Sequence, residues 1–342
     1  MDTTDAAAEV NSRLWRKRCF ATRGTLSALW RRLRRFAAKM LPVESQQGRC
    51  ARLLIRWARR IRDSFRHGSA SLASWLLRRT RPRTEWTDEE PHPLASIIVV
   101  TYNNLELNQA CLRSIFERTD YPNYEVIVVD NASTDGTPQW LAEAAAGEPR
   151  LRVICNGDNR GFAGANNQGL RAARGECLCL LNNDTQVSRG WLATLIGHLR
   201  NAPELGAVGP VSNMVGNEAI VPVAYRHIDD MPKWAAQYCR KHDGQTVPIN
   251  MLGFFCVVMR RAVYEKVGEL DERFGLGYFE DDDYCRRIRR QGYELRYARD
   301  AFVHHWQGAS FRLLGLDRRE VIFQENRTKF EAKWKMSQAE AR

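Results

Sequence analysis

No apolar run in this 342-residue chain approaches the 18 or so residues that a membrane-spanning helix needs. The chain also lacks a C-x-x-C pair, a three-glycine dinucleotide fingerprint, a Gly-Lys-Ser/Thr phosphate loop, an internal repeat and any long low-complexity tract. Those gaps argue against zinc ribbons, dehydrogenases, P-loop nucleotidases and solenoids. Asp2, Asp5 and Glu9 occupy the start with no apolar segment behind them, so no secretory leader is expected. The nine cysteines are odd in number and scattered, which fits a reduced, cytosolic protein. Cys177 and Cys179 flank one residue of an apolar run and read as strand core, not metal ligands.

What is present is unevenly distributed. Residues 1–90 hold 21 Lys and Arg against 9 Asp and Glu, whereas the rest of the chain holds 31 of each. The whole net charge of +12 therefore belongs to the N-terminal quarter. Within residues 14–79, Leu26, Leu29, Trp30, Leu33, Ala37 and Met40 recur at helical spacing among arginines. Leu54, Trp57, Ile61 and Phe65 repeat the plan. Basic amphipathic helices with boundary tryptophans suit an anionic membrane surface. Packing on the body, or contact with RNA or protein, are the other readings of the same pattern. Prolines and acids at 80–93 make a linker. The expected division is a basic extension over 1–90 and a main domain over 91–342. That domain divides into a first half (95–210), a second half (211–310) and a helical tail (311–342).

After the linker, short apolar runs alternate with helical patterns. Ser96–Thr101, Tyr124–Asp130, Leu151–Ile154 and Leu178–Leu181 read as buried parallel strands, giving the grammar of a doubly wound α/β sheet. Polar clusters follow three of them: Tyr102-Asn103, Asp130-Asn131 and Asn182-Asn183-Asp184. Ligands bind at the carboxyl ends of such strands. Between strands three and four, Arg160-Gly161-Phe162-Ala163-Gly164-Ala165-Asn166-Asn167 is either a glycine-rich turn or a helix start able to approach an anion. In the second half, strands are expected at 205–210, 253–259 and 293–297, with 301–305 leading out of the core, helices at 262–267 and 282–291, and a flexible flap over 213–250. The densest chemistry is Phe279-Glu280-Asp281-Asp282-Asp283-Tyr284. Four adjacent carboxyls resist ionising together, which raises at least one pKa and prepares either a general base or a cation site. Taken alone the run is a solvated acidic turn, but His304-His305 follows about twenty residues on.

Taken together, Thr101-Tyr102-Asn103, Val129-Asp130-Asn131 with Ser133-Thr134-Asp135-Gly136, Asn159–Asn167, Asn182-Asn183-Asp184 and Phe279–Asp283 occur in one order. In that order residues 95–310 resemble the family-2 glycosyltransferases of the GT-A fold, in particular the bacterial branch that includes rhamnosyltransferases of polysaccharide assembly. The resemblance implies a mixed, mainly parallel α/β sheet flanked by helices and an inverting transferase. Its donor would be a nucleotide-sugar, dTDP-rhamnose or a UDP-sugar, and its acceptor a glycan or a lipid-linked sugar. Thr101, Tyr102, Asn103, Asp130 and Asn131 would lie by the nucleobase and ribose, and Arg160, Gly161, Gly164, Asn166 and Asn167 would close over the nucleoside diphosphate. Asn131 and the Asn166-Asn167 pair lean toward dTDP-rhamnose. Asn182, Asn183 and Asp184 stand in the place of a D-x-D motif, with Asp184 and one of His304 or His305 at a divalent cation, Mg²⁺ or Mn²⁺. A neutral Asn182 is a weaker ligand than the usual carboxylate. Asp281 would be the base, Glu280 would orient the acceptor, Asp283 is the reserve base and Asp282 faces solvent. Arg260 and Arg261 touch phosphate or cap a strand. The implied place is the cytoplasmic face of the plasma membrane. The alternative is a non-catalytic, membrane-associated scaffold that binds nucleotide-sugar or glycan. No nucleic acid is expected as a partner.

Overall fold

The computed structural model describes residues 92–306 and 316–335; the basic arm read in residues 14–79 lies outside them. The described elements are β1 (Ala95–Thr101), α1 (Leu105–Arg118), β2 (Tyr124–Asp130), α2 (Thr137–Gly147), β3 (Leu151–Cys155) and α3 (Gly161–Ala172). They continue with β4 (Cys177–Asn182), β5 (Thr185–Val187), α4 (Trp191–Asn201), β6 (Leu205–Val211), α5 (Met231–Lys241) and β7 (Thr246–Pro248). The last are β8 (Cys256–Arg260), α6 (Arg261–Val267), α7 (Glu280–Arg290), β9 (Glu294–His305) and α8 (Leu316–Trp334). The strands form one sheet in the order β3-β2-β1-β4-β8-β6-β9-β5, with β7 paired to β9. β1 pairs parallel with β2 and β4, and β2 with β3. β8 runs antiparallel between β4 and β6, and β6 pairs parallel with β9.

The apolar runs form strands because both faces of the sheet are covered. Alternate residues point to opposite faces. Ile97, Val99, Val126, Val128, Cys179 and Leu181 meet Leu112 and Ile115 of α1 and Trp191 and Leu195 of α4. Ile98, Ile127, Val129, Leu178 and Leu180 meet Leu170 of α3 and Tyr284 and Ile288 of α7. Cys177 and Cys179 are free, buried strand residues, as read from their surroundings.

Three readings of the second half need correction. The strand expected at 253–259 begins only at Cys256, because Phe254 and Phe255 form a turn. The strand expected at 293–297 continues through 301–305, which stays in the sheet instead of leading out of the core, as one β9 with register irregularities against β6. Residues 213–250 are no loose flap: they contain α5 and β7, and Met231, Ala235 and Phe302 share a small core. No helix among the described residues is long and apolar enough to cross a membrane.

Candidate active site

The carboxyl ends of β1 and β2 meet in a network that begins with backbone shape. Asn103, Asn104 and Ala132 sit at φ 54°, 64° and 67°, a left-handed conformation that asparagine tolerates better than most residues. Asp130 accepts from the hydroxyls of Thr101 (3.0 Å) and Ser133 (2.5 Å), and Asn103 Oδ1 accepts from Thr134 N (2.7 Å). Thr101, Asp130 and Asn131 are buried. Asn131 donates to Asn159 Oδ1 (2.8 Å) and to the Gly161 carbonyl (3.2 Å), and accepts from Asn156 and from the Arg160 amide. A carboxylate there could not donate either bond, so this network calls for an amide at position 131. Thr101, Asp130 and Asn131 shape the ligand-facing surface from beneath, while half-buried Tyr102 and Asn103 remain on it.

The glycine-rich stretch is helix α3 from its first glycine onward. Gly161 has φ +70°, and a Cβ there would lie 2.0 Å from the Gly275 carbonyl oxygen; only glycine lets these two loops touch. Asn166 and Asn167 are buried and hydrogen-bonded within the protein. Asn166 donates to the Phe162 carbonyl one turn back (2.9 Å), and Asn167 exchanges hydrogen bonds with the backbone of Leu270 and donates to Glu272 (2.9 Å). Gly164 packs under Arg160 and Glu272. Arg160 is half-exposed, 3.7 Å from Asp158.

Beyond β4, Asn182 is half-buried and Asn183 donates to Asn108 Oδ1 (2.6 Å). Asp184 is buried, its carbonyl receives the Trp306 amide (2.9 Å), and its Oδ1 lies 3.2 Å from His305 Nε2. His305 stacks on Phe255 (centroids 4.9 Å, 13°), and its Nδ1 lies 3.0 Å from the Met214 carbonyl. A carbonyl only accepts, so Nδ1 carries the proton and the lone pair of Nε2 faces the Asp184 carboxylate. Nε2 is buried and makes no hydrogen bond. Two acceptors aimed at each other need a cation or a proton between them, so Asp184 and His305 fit a divalent metal. Among the described residues no third His, Cys, Asp or Glu joins them, which leaves the rest of a coordination shell to substrate oxygens and water.

His304 is not part of that pair. Successive residues of a strand point to opposite faces, so His304 turns to Tyr225, whose hydroxyl lies 2.6 Å from Nδ1. Burial pushes its pKa down to about 4, with His305 adding to the effect. A shallow cavity of about 390 Å³, lined by Tyr225, Arg226, Lys233 and Trp234 among others, lies on this His304 side.

The four acids occupy the first turn of α7, where the helix dipole favours them. They are not equivalent. Asp283 is fully buried and committed to Arg287 (2.9 Å), Lys333 (2.6 Å) and Trp334 Nε1 (2.9 Å). Those partners remove it as a reserve base. Glu280 is raised well above the ordinary range by burial and by Asp281 beside it, and its Oε2 has no hydrogen-bond partner. Asp281 is raised by burial too, but the backbone amides of Asp282 (2.9 Å) and Phe254 pull it back. Asp282 does not simply face solvent: it is half-buried, and burial with Asp281 nearby pushes its pKa up to about 7. Adjacent carboxyls driven apart in this way can serve as one proton acceptor and one proton-bearing group. The turn Phe254-Phe255 joins the two halves of the site. The Phe254 amide supports Asp281, the Phe255 ring supports His305, and the Phe255 carbonyl receives the Asn182 amide (2.8 Å).

Arg260 and Arg261 bind no phosphate here. Because β8 is reversed, its end lies at the opposite edge of the sheet. There Arg260 donates to the carbonyls of Leu199, Pro203 and Leu205, and Arg261 to those of Ala173 and Gly175.

Sequence reasoning missed Phe255 and Met214, which orient His305, and Tyr225, which diverts His304. An aromatic pair before a strand carried no signal of its own, and the contacts of Phe255, Met214 and Tyr225 with the two histidines span 50 or more residues of sequence.

The family model described as "Glycosyl transferase family 2" matches residues 96–268. The O-antigen biosynthesis protein RfbC of Myxococcus xanthus is 29% identical over 229 residues, covering 64% of this chain but only 18% of that protein. The N-acetylglucosaminyl-diphospho-decaprenol L-rhamnosyltransferase of Mycobacterium tuberculosis (strain CDC 1551 / Oshkosh) is 27% identical over 240 residues, 63% of this chain and 76% of that one. Among solved structures, the mannosyltransferase PcManGT from Pyrobaculum calidifontis, in complex with GDP-Man and Mn²⁺, matches with a TM-score of 0.51 and 26% identity. The match covers 72% of this chain and 66% of that one.

Proposed function

The chain belongs to glycosyltransferase family 2, and from that premise we propose that it is an inverting glycosyltransferase of cell-surface polysaccharide synthesis. It takes a sugar from a nucleoside-diphosphate donor, dTDP-rhamnose or a UDP-sugar, and places it on a glycan or lipid-linked acceptor. The observation that carries this reading is the convergence, around the Phe254-Phe255 turn, of a cation pair (Asp184, His305) with a buried acid pair (Glu280, Asp281). The rhamnosyltransferase relative, with its lipid-diphosphate acceptor, supports the class of both substrates.

In the proposed reaction Asp281 takes the proton of the acceptor hydroxyl, and the oxygen attacks the anomeric carbon of the donor. The bond from that carbon to the diphosphate breaks on the opposite side, and the nucleoside diphosphate leaves with its electron pair. One base and one displacement invert the anomeric centre. Glu280, proton-bearing and buried, orients the acceptor. Tyr102 and Asn103 meet the nucleoside, and the Gly161 end of α3 meets the diphosphate. Mg²⁺ or Mn²⁺, held by Asp184 and His305, would act as a Lewis acid toward the departing diphosphate. The basic arm, residues 14–79, supports a place at the cytoplasmic face of an anionic membrane, where a lipid-linked acceptor lies.

The test is a thermal-shift series with dTDP, UDP and GDP, each with Mn²⁺, Mg²⁺ or chelator. A ligand at about 100 times its Kd stabilises the fold by roughly 2.7 kcal/mol. One nucleotide is expected to give a metal-dependent shift that His305→Ala removes and His304→Ala keeps. A chelator-indifferent shift would remove the metal. No shift with any nucleotide would favour the scaffold reading.

A further inference from the structure

The segment leading into the acids is held in a conformation that L-residues avoid. Gly275, Gly277, Tyr278 and Phe279 have φ of 62°, 151°, 74° and 73°. Two successive aromatic residues in the left-handed region persist only where the surroundings over-determine them. The surroundings here are largely one element, α8. Asn326, 1% exposed, donates its amide to the carbonyls of Phe274 (2.5 Å) and Gly277 (2.7 Å). Lys333 Nζ stands 2.6 Å from both Asp271 Oδ2 and Asp283 Oδ1, one acid on each side of the strained segment. Phe279 packs against Phe323 and Phe330. The same segment presents the Gly275 carbonyl to Gly161, so its shape also bears on the N-terminus of α3.

We propose that α8 is a latch: Asn326 and Lys333 are positioning residues that hold 275–279 in the shape that aims Glu280 and Asp281 at the acceptor hydroxyl. This rests on the transferase reading above. Lys333 closes the segment at both ends through two carboxylates, and Asn326 fixes two carbonyls between them. A helix that merely added buried area would need neither a bridging ammonium nor an amide shared between two loop carbonyls. The latch acts chiefly on the geometry of the base: the bonds of Asn326 and Lys333 close on Phe274, Gly277, Asp271 and Asp283, while the Gly275 carbonyl links the segment to the Gly161 end of α3. Its loss should therefore appear in turnover far more than in donor affinity.

The test uses the full chain as wild type, Lys333→Met, Lys333→Arg and Asn326→Ala. Hydrogen exchange is followed over 271–290. Transfer is followed with the donor chosen by the thermal-shift series and a synthetic N-acetylglucosaminyl diphospholipid as acceptor. Lys333→Met and Asn326→Ala are expected to speed exchange in 271–283 about tenfold while the β1, β2 and β4 peptides stay protected. They should lower kcat about tenfold or more with donor KM within about twofold, and Lys333→Arg should restore it. Lys333 is 21% exposed at the end of its helix, so Lys333→Met keeps the test decisive should Asn326→Ala not fold. Unchanged exchange, or faster exchange with kcat unaltered, would overturn the latch, as would a loss that Lys333→Arg shares. A wild type that binds no nucleotide and transfers nothing sinks the transferase reading instead, and the exchange data then decide alone whether α8 holds the segment.

Discussion

Replacing Asp281 by asparagine keeps its size and removes proton acceptance. Asp281→Asn is expected to lower kcat by about 10²–10⁴-fold while calorimetric nucleotide binding is retained; unchanged turnover would dismiss Asp281 as the base. Asp282 carries a pH prediction. Its pKa rises from 3.8 to about 7 on folding, so the folded chain keeps a proton that the unfolded chain releases. The stability this provides is full below about 4 and is lost as pH rises through about 7. Buried Glu280 and Asp281 slope the same way. His304 opposes them: lowered from 6.5 to about 4, it contributes stability that is lost as pH falls through that window. Asp282→Asn should therefore match the wild type in Tm near pH 4 and exceed it above pH 7, and a difference that does not vary with pH would refute this. The acids were legible as a site because four adjacent carboxyls are costly. Their division of labour was not, because Lys333, Trp334 and Phe254 come from 27 or more residues away. The hydrogen bonds of Thr101, Asp130, Asn131 and Asn167 were illegible for the same reason, since their partners are remote in sequence.

Elements repeat the lesson at a larger scale. β1, β2 and β4 were legible almost to the residue, because a strand buried on both faces writes a continuous apolar run. The strand expected at 293–297 stops short of the end of β9 because Arg299-Asp300 interrupts the apolar run. In the fold Asp300 is buried against His198 (2.8 Å) and the Gly244 amide (2.8 Å), so a polar pair inside a strand is satisfied by partners that periodicity cannot display. Helix α3 begins where glycine allows it. Gly161→Ala adds both a strained φ and a collision with the Gly275 carbonyl, and is expected to cost about 1–3 kcal/mol in chemical denaturation. Gly157→Ala, with nothing within 4 Å, is the control and should be near neutral. Equal effects of the two would show that the loop contact does not matter.

For the whole molecule, the contrast between a strongly basic first quarter and a charge-balanced remainder makes a separable prediction. Removal of residues 1–90 should abolish flotation with anionic phosphatidylglycerol vesicles while nucleotide shifts survive, and the full chain's flotation should weaken with added salt. Flotation that persists without the arm would move the membrane contact to the body. The long strand β9 joins these scales, because it runs from the β6 and β7 pairings to the partner of β5 and delivers the two histidines at its end. Since side chains alternate along it, the strand can absorb many substitutions but not a change of length. One residue inserted or deleted between Ala298 and His304 would exchange the roles of the tandem histidines or turn both away from Asp184. Divergence among copies of this gene should therefore accumulate in β9 as point changes, with insertions and deletions confined to the loops on either side of it.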